Sequence, residues 1–204
     1  PFSLSGHFDA ARSEPLSIAA TLDLKGKLEA IQFELEARAT RPDTADQALD
    51  FLASGEVAPF AELLLPRLLV AGQGIDPAQW AEGAPTADLA FSGIFEQQPG
   101  QRLLGTFSLQ NSNAGRLDRG RLPLVELVGA VLGDARHADF SALEIDLGTA
   151  GRLTGDGQWR DGNFALNLAS DRLNLAGLHG SLYTSRIRTV LQLSGDAARQ
   201  RLRA

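Results

Sequence analysis

The strongest constraint on the fold of this chain is an alternation of apolar and polar residues that runs through nearly all of its 204 residues. In the stretch LSIAATLDLKGKLEAIQFELEARAT, apolar residues first occupy even positions, as at Leu22 and Leu24. After position 30 they occupy odd positions, as at Phe33 and Leu35. Successive side chains of a strand point to opposite faces of a sheet. The pattern therefore predicts β-strands that each have one apolar face.

The same pattern divides most of the chain into strands. The predicted strands lie near residues 2–10, 16–28, 30–41, 47–58, 67–75, 86–96, 102–111, 122–132, 139–148, 151–160, 163–170, 172–183 and 186–195. Helix is predicted only within VAPFAELLLP (57–66) and at DPAQW (76–80), where Asp76 is suited to cap a helical turn. Short turns, of which Asp161-Gly162 is the clearest, join antiparallel neighbours. We therefore expect an all-β antiparallel meander with one or two short helical turns.

Glycine recurs within the apolar columns of these strands. It occurs in LKGKL (24–28), FSGIF (91–95), LLGTF (103–107), LVGAV (127–131) and LTGDG (153–157). A glycine in a strand removes a side chain and permits a bulge or a bend. Two interpretations stay open from these residues alone: local bulges or strand ends in a sandwich, or a sheet folded across its strands into a trough.

Composition restricts the partners and the origin of the chain. The net charge is -6 and the basic residues are scattered, which argues against a nucleic-acid binder. The absence of cysteine excludes disulfides, thiolate chemistry and cysteine-ligated metals. No apolar run approaches the roughly 18 residues of a membrane span. The chain begins at Pro1 and contains no methionine. We therefore expect residues 1–204 to be a single segment excised from a longer protein, whose anchor or export signal lies outside them.

Residues that carry chemistry form no recognisable pattern. His7, His137 and His179 lack the spacing of a zinc site, and no GxSxG or phosphate-binding loop is present. Carboxylates such as Glu34 and Glu144 occupy the polar parity of their strands, where solubilising a sheet face explains them. We therefore expect no enzyme, no catalytic residue, no metal site and no cofactor.

The remaining feature is the apolar face itself, which is mostly aliphatic and contains few aromatic residues. Such a surface suits either a plain core or disordered acyl chains. The residues predicted to line it are Leu16, Ile18, Leu22, Leu24, Ile31, Phe33, Leu35, Leu89, Phe91, Phe107, Leu109, Leu143, Ile145, Leu147, Phe164, Leu166, Leu168, Leu191 and Leu193.

Several stretches resemble the periplasmic part of the TamB family, which is related to AsmA-like proteins. The resemblance covers roughly residues 45–200. Its strongest pieces are N-x-x-x-G-x-L-D-x-G-R-L-P-L, beginning at Asn111, and L-x-x-L-H-G-S-L-Y-x-x-R-I, beginning at Leu175. These motifs are typical of strands and turns and carry no catalytic residues. Thr184-Ser185 departs from the family pattern, where a proline is expected.

The resemblance implies a fold, a location and partners. Members of the family form a long curved antiparallel sheet, an open apolar groove known as a β-taco, and cross the periplasm from an inner-membrane anchor. They dock on an outer-membrane barrel partner of the TamA type. They are implicated in moving phospholipids to the outer membrane and in the assembly of outer-membrane proteins.

Two functions therefore remain. In the first, the segment conducts phospholipid acyl chains between the two membranes along its apolar groove. In the second, it is a chaperone or scaffold that accepts nascent outer-membrane strands at an edge or groove. Unpaired sheet edges would also favour edge-to-edge self-association.

Overall fold

The structure, a computed structural model, describes residues 2–11, 17–40, 48–79, 81–100, 102–134, 136–196 and 199–203. In these residues the fold is all-β, with thirteen antiparallel strands that follow one another in chain order in a single sheet. The strands are β1 (Phe2–Ala11), β2 (Ser17–Lys27), β3 (Ala30–Thr40), β4 (Leu49–Val57), β5 (Arg67–Ile75), β6 (Leu89–Gln98), β7 (Arg102–Asn111), β8 (Glu126–Gly133), β9 (His137–Asp146), β10 (Arg152–Arg160), β11 (Asn163–Leu173), β12 (Ile187–Gly195) and β13 (Gln200–Arg203). The predicted all-β antiparallel meander is confirmed.

The chain divides into two compact units. Unit 1 comprises Pro1–Ile75 and Ala90–Arg102, and therefore contains β1 to β5 and nearly all of β6. Unit 2 comprises Asp76–Leu89 and Leu103–Ala204, and contains β7 except for Arg102 together with β8 to β13.

The change of parity in the opening stretch is explained by a two-residue turn in unit 1. Lys27 pairs with Ala30 across Leu28 and Glu29. In every β2–β3 pair, therefore, one residue number is even and the other is odd. Even positions of β2 therefore lie opposite odd positions of β3, as where Leu24 faces Phe33. Both apolar sets consequently lie on one face of the sheet.

The Asp161-Gly162 turn of unit 2 is confirmed. Arg160 pairs with Asn163, and the two residues between them have positive φ values of 46° and 85°. These values are those of a type I′ hairpin turn, which matches the right-handed twist of the flanking strands.

A β-bulge in β9 restores an apolar parity that the sequence breaks. Phe140 and Leu143 are an odd number of positions apart, yet they pair with Gly157 and Gly155 of the same strand face. The extra residue is absorbed around Ala142, which has a φ of 49°. The bulge therefore places both large side chains on one face.

Several in-strand glycines leave room for a large neighbour on the apolar face. A Cβ at Gly129 would lie 2.7 Å from the Leu143 side chain and 3.1 Å from Phe107. In unit 1, a Cβ at Gly72 would overlap the ring of Phe91. Gly129 also adjoins the register shift between β8 and β9, so a local bulge occurs there, but the strands belong to one sheet and not to a sandwich.

Three local predictions need correction or confirmation. The helix within 57–66 is wrong: this connection consists of turns, and Leu65 donates its backbone N–H to Gln97 Oε1 at 2.6 Å instead of to a helical carbonyl. The strand at 172–183 is also wrong beyond Leu173, because a short helix α1 (Leu175–Leu178) and a loop follow. The helical turn at 76–80 is confirmed at Pro77–Gln79.

Candidate apolar binding face

Unit 1 presents one apolar face, called here the unit 1 face, that is only partly buried. One cross-strand row of this face joins Leu22, Leu35, Ala53 and Val70 on four successive strands. Burial alternates strictly along β3 from Ile31 to Ala39, where the polar residues are exposed and the apolar residues are partly buried. Leu22 remains 39% exposed and Ile18 37% exposed. The face therefore keeps apolar surface in contact with solvent.

The small size of the buried residues distinguishes unit 1 from unit 2. Among the described residues of unit 1, the only buried hydrophobic side chains are those of Ala53 and Ala58. Partner rows on the same side of unit 1 contain glycines covered by aromatic rings, such as Gly55 beneath Phe33. Phe51 and Phe91 lie with ring centroids 6.2 Å apart. The large side chains of this face thus contact one another sideways while their outer surfaces stay accessible.

Unit 2 has a denser apolar face. Leu143, Leu153, Leu168 and Leu173 form a buried cluster, each 5–7% exposed. Partly buried side chains pack against the cluster, namely Phe107, Leu127, Phe140, Ile145, Leu147, Leu166, Leu175 and Leu191. This cluster is a true core, so less of the unit 2 face is available to a ligand.

The structure distributes the predicted lining residues over both units. In unit 1, the register and the ring contacts place on one face Ile18, Leu22, Leu24, Ile31, Phe33, Leu35 and Phe91. In unit 2, the register places together Phe107, Leu109, Leu143, Ile145, Phe164, Leu166, Leu168, Leu191 and Leu193. Leu147 follows β9 and packs on the core cluster, and Leu89 is buried at 8%. Leu16 lies outside the described residues.

Sequence reasoning missed other members of these faces. Leu127 and Val131 of β8 lie opposite Leu109 and Gly105, on the same face as the core cluster. The strand ELVGAVLG is apolar at nearly every position, so its periodicity gives no sign of which residues face the core. Phe140 was missed because the bulge hides its parity.

A depression of about 530 Å³ in unit 1 is lined mostly by residues of the polar face, and Phe33 and Gly55 of the apolar face also border it. Charged side chains of both signs surround it, among them Asp23, Lys25, Glu34, Glu56 and Arg67. A second depression nearby, of about 380 Å³, includes Arg38 and Asp50, which form an ion pair at 3.0 Å. Apolar groups would be unfavourable beside these charges, so the candidate apolar binding surface is the unit 1 face and not these depressions.

The two motifs that carry the family resemblance meet at one end of unit 2. Asp118 of the first motif accepts a hydrogen bond from the backbone N–H of Gly180 in the second, and this bond, followed by the charge of Arg116, lowers the pKa of the Asp118 carboxyl. The Arg116 Nε lies 3.3 Å from Asp118 Oδ1. We call the connection 112–125 and the segment 174–186 together the loop cap.

Buried polar groups fix the base of the loop cap. Asn111 is 6% exposed; its side-chain amide donates to the carbonyl oxygens of Leu122 and Leu124 and accepts from the N–H of Asp88 and Asn113. The amide is thus saturated by backbone partners, which pins three segments together. Asn111 opens the first motif, and this hydrogen bonding is a physical reason for an asparagine there.

The described ranges include histidines and carboxylates, for which no metal site or catalytic role is predicted. No group of three or more His, Cys, Asp or Glu residues there could hold a metal ion. His137 lies near Asp134, whose pKa is lowered chiefly by hydrogen bonds from the backbone of Arg136 and His137. His179 Nδ1 lies 2.8 Å from Ser181 Oγ at an exposed turn. No helix in the described part of the chain is long and apolar enough to cross a membrane.

Comparison with known proteins adds no relative: the chain matches no family, no curated protein and no solved structure. The fold and the site therefore define the class directly, as an all-β antiparallel protein with an apolar face that remains partly exposed in unit 1.

Proposed function

We propose that this chain is a lipid-binding segment, in which the apolar faces of its sheet carry the acyl chains of phospholipids. The observation that carries the proposal is the unit 1 face, where among the described residues no side chain larger than alanine is fully buried. A sheet face of Leu, Ile and Phe that is left partly open gains stability by contacting hydrocarbon, at about 0.8 kcal/mol for each CH₂ group buried.

The proposed binding surface is an extended apolar face and not an enclosed pocket. The rows of the unit 1 face are aliphatic with a few Phe rings, and no polar group interrupts them between Leu22 and Val70. Sites for rigid ligands contain precisely placed polar groups that fix orientation. A row without them tolerates many positions of a flexible chain, which suits transfer better than tight binding.

The motif resemblance supports the wider setting of the proposal. In that setting the chain is part of a longer periplasmic protein, anchored in the inner membrane by a segment outside these residues. It forms an open groove between the inner and outer membranes and meets an outer-membrane barrel partner of the TamA type. Its role is binding and transfer, not catalysis.

A photo-crosslinking pair tests the proposal. A benzophenone amino acid replaces Phe33, on the unit 1 face, and separately Glu34, on the polar face. The side chains of adjacent residues in a strand point to opposite faces of the sheet. Phospholipid should be captured in cells at Phe33 and not at Glu34. Capture at Phe33 of this chain only, as in a closed core, would refute the proposal.

The same pair at Leu166 and Asn167 tests continuity into unit 2. Leu166 lies opposite Leu193 on the apolar side, and Asn167 lies opposite Gln192 on the polar side. If the probe at Phe33 captures lipid and the probe at Leu166 captures only protein, lipid binding is local to unit 1. The proposal that acyl chains pass along the whole segment would then be wrong.

A second candidate function is strand capture. It is favoured by β1, the first strand in the sheet order, which pairs with β2 on one side. An extended peptide could pair with the opposite side of β1 by β-augmentation. Under this alternative, the benzophenone at Phe33 should capture outer-membrane protein instead of lipid.

A further inference from the structure

Three large apolar side chains are exposed in the two connections at one end of unit 1. Phe60 is 78% exposed, Leu28 61% and Leu64 53%. Leu28 belongs to the turn between β2 and β3, and the other two belong to the connection between β4 and β5. We call these three residues the apolar tip.

The register explains why the two connections lie at the same end of unit 1. The pairing of β2 with β3 ends at Lys27 and Ala30, and the pairing of β3 with β4 ends at Ile31 and Val57. The turn at Leu28 and the connection that begins at Ala58 therefore leave the sheet side by side.

Hydrogen bonds hold the β4–β5 connection in a fixed shape. The N–H of Ala58 donates to the carbonyl of Leu64 at 2.9 Å, which closes the loop on itself. The N–H of Ala61 donates to the carbonyl of Ala58 at 3.0 Å, and the N–H of Leu65 donates to Gln97 Oε1 at 2.6 Å. The exposure of Phe60 is thus built into the loop, and little conformational freedom remains to be lost on binding.

Charge at this end is balanced. The charged residues next to the tip in the two connections and their strand ends are Lys25, Lys27, Arg67, Glu29, Glu56 and Glu62. Three are positive and three are negative, so the end has no net attraction for an anionic polymer or a strongly charged partner. The exposed apolar side chains are its distinctive feature.

The tip also continues the unit 1 face. Ile31 and Val57, the last paired residues of that face, are partly buried and lie directly before the tip. Apolar surface thus extends from the row of Leu24 and Phe33 to the end of the unit.

We propose that the apolar tip inserts into the headgroup region of a lipid bilayer and seats the end of the unit 1 face against the acyl chains. The bilayer contact depends on the tip alone; the passage of acyl chains onto the face rests on the proposed function. Because the contact is apolar and the local charge is balanced, it needs no anionic lipid and resists salt.

Vesicle flotation of the whole 204-residue chain tests the bilayer contact. The chain should float with phosphatidylcholine vesicles, and binding should be as strong at 0.5 M salt as at 0.05 M, where the screening lengths are roughly 4 Å and 14 Å. The double variant Phe60→Ser/Leu64→Ser should bind about a hundredfold more weakly, from the apolar area lost. The matched control is Leu182→Ser/Tyr183→Ser in unit 2, whose side chains are 44% and 92% exposed.

Each outcome of the flotation decides the proposal. Loss of binding in the tip variant alone, with unchanged circular dichroism, supports it. Failure of the wild-type chain to float, undiminished binding of the tip variant, equal loss in the control variant, or loss of binding in high salt overturns it. If the tip variant instead abolishes self-association while no vesicle binding occurs, the tip is a contact between copies of the chain and the proposal is also wrong.

A second measurement separates this inference from the proposed function. The benzophenone at Phe33 is exposed to a short-chain phosphatidylcholine below its micelle concentration, where no bilayer is present. The bilayer contact of the tip is supported if the wild type and the tip variant capture the monomeric lipid equally, while the variant captures lipid from vesicles more slowly. Equal capture from vesicles overturns the tip and leaves the proposed function standing. No capture of the monomeric lipid overturns the proposed function, while flotation still decides the tip.

Discussion

The Asp118 carboxylate accepts a hydrogen bond from the backbone N–H of Gly180, and so joins the two motifs on which the family resemblance depends. A Cβ at Gly180 would lie 2.6 Å from Asp118 Oδ2 and 2.9 Å from Arg116 Nη1. The glycine therefore allows the close approach, and the carboxylate satisfies a backbone donor at the turn. Neither motif alone indicates that the other is its partner.

This hydrogen bond should make the stability of the protein depend on pH in acid. The pKa of Asp118 is lower in the folded protein than its ordinary value, so the carboxylate stabilises the fold above about pH 4. That stabilisation is lost as the pH falls through the lowered pKa. In urea titrations from about pH 5 to pH 2, Asp118→Asn should show a shallower loss of unfolding free energy than the wild type. Parallel curves for the two proteins would contradict the prediction.

Close packing of the loop cap against the turn at Ala150 should make Gly177 sensitive to a single methyl group. A Cβ at Gly177 would overlap the backbone of Ala150, which itself is 0% exposed. We expect Gly177→Ala to lower the free energy of unfolding by about 1–3 kcal/mol, as overpacking does in other cores. Gly6→Ala is the control, because a Cβ there meets no atom within 4 Å. Equal changes for both variants in chemical denaturation would show that steric overlap is not the cause.

Truncation of leucines should separate the core of unit 2 from the open face of unit 1. Leu168 is 7% exposed within the core cluster, whereas Leu22 is 39% exposed. We expect Leu168→Ala to cost about 2–5 kcal/mol and Leu22→Ala less than about 1.5 kcal/mol. Urea denaturation of both variants measures the difference. A loss at Leu22 as large as that at Leu168 would mean that the unit 1 face is covered.

The bulge in β9 should accept glycine without loss. Ala142 holds a φ of 49°, a left-handed conformation that is unfavourable for residues with a Cβ by about 1 kcal/mol. Ala142→Gly should therefore leave the free energy of unfolding unchanged or raise it by up to about 1 kcal/mol. Ala165→Gly, at a position of β11 that pairs without a register shift with both β10 and β12, should lower it by about 0.5–1 kcal/mol. Destabilisation of both variants by the same amount would rule out the bulge conformation.

The edge of β1 should mediate self-association of the chain. Leu4 is 61% exposed on the apolar parity of this strand, opposite Leu24 of β2. Exposed apolar edges pair with other strands, and an added lysine opposes this. Sedimentation velocity should show a concentration-dependent mass for the wild type that falls in Leu4→Lys. Ser5→Lys, on the polar parity of the same strand, tests whether the apolar side matters. A mass that stays monomeric at every concentration would contradict the edge contact.

The sequence by itself determined the fold class and most strand faces, because the alternation of side chains is a local property that each strand expresses alone. It also determined the turn at Asp161-Gly162, whose conformation depends on two residues. It did not reveal α1, because the alternating pattern at 172–183 predicts a strand. This segment folds as a helical turn and a loop, in which the Asn174 side chain donates to the carbonyl of Thr149 and accepts from the N–H of Ser185.

Only the tertiary structure decided which apolar residues are available to a ligand. Leu22 and Leu168 have the same chemistry and the same alternating context, yet one is 39% exposed and the other 7% exposed. Their difference comes from what packs against them: Phe107, Leu127 and other residues distant in sequence from Leu168 pack on the core cluster of unit 2. Burial depends on contacts between segments far apart in the chain, and a local pattern carries no information about those contacts.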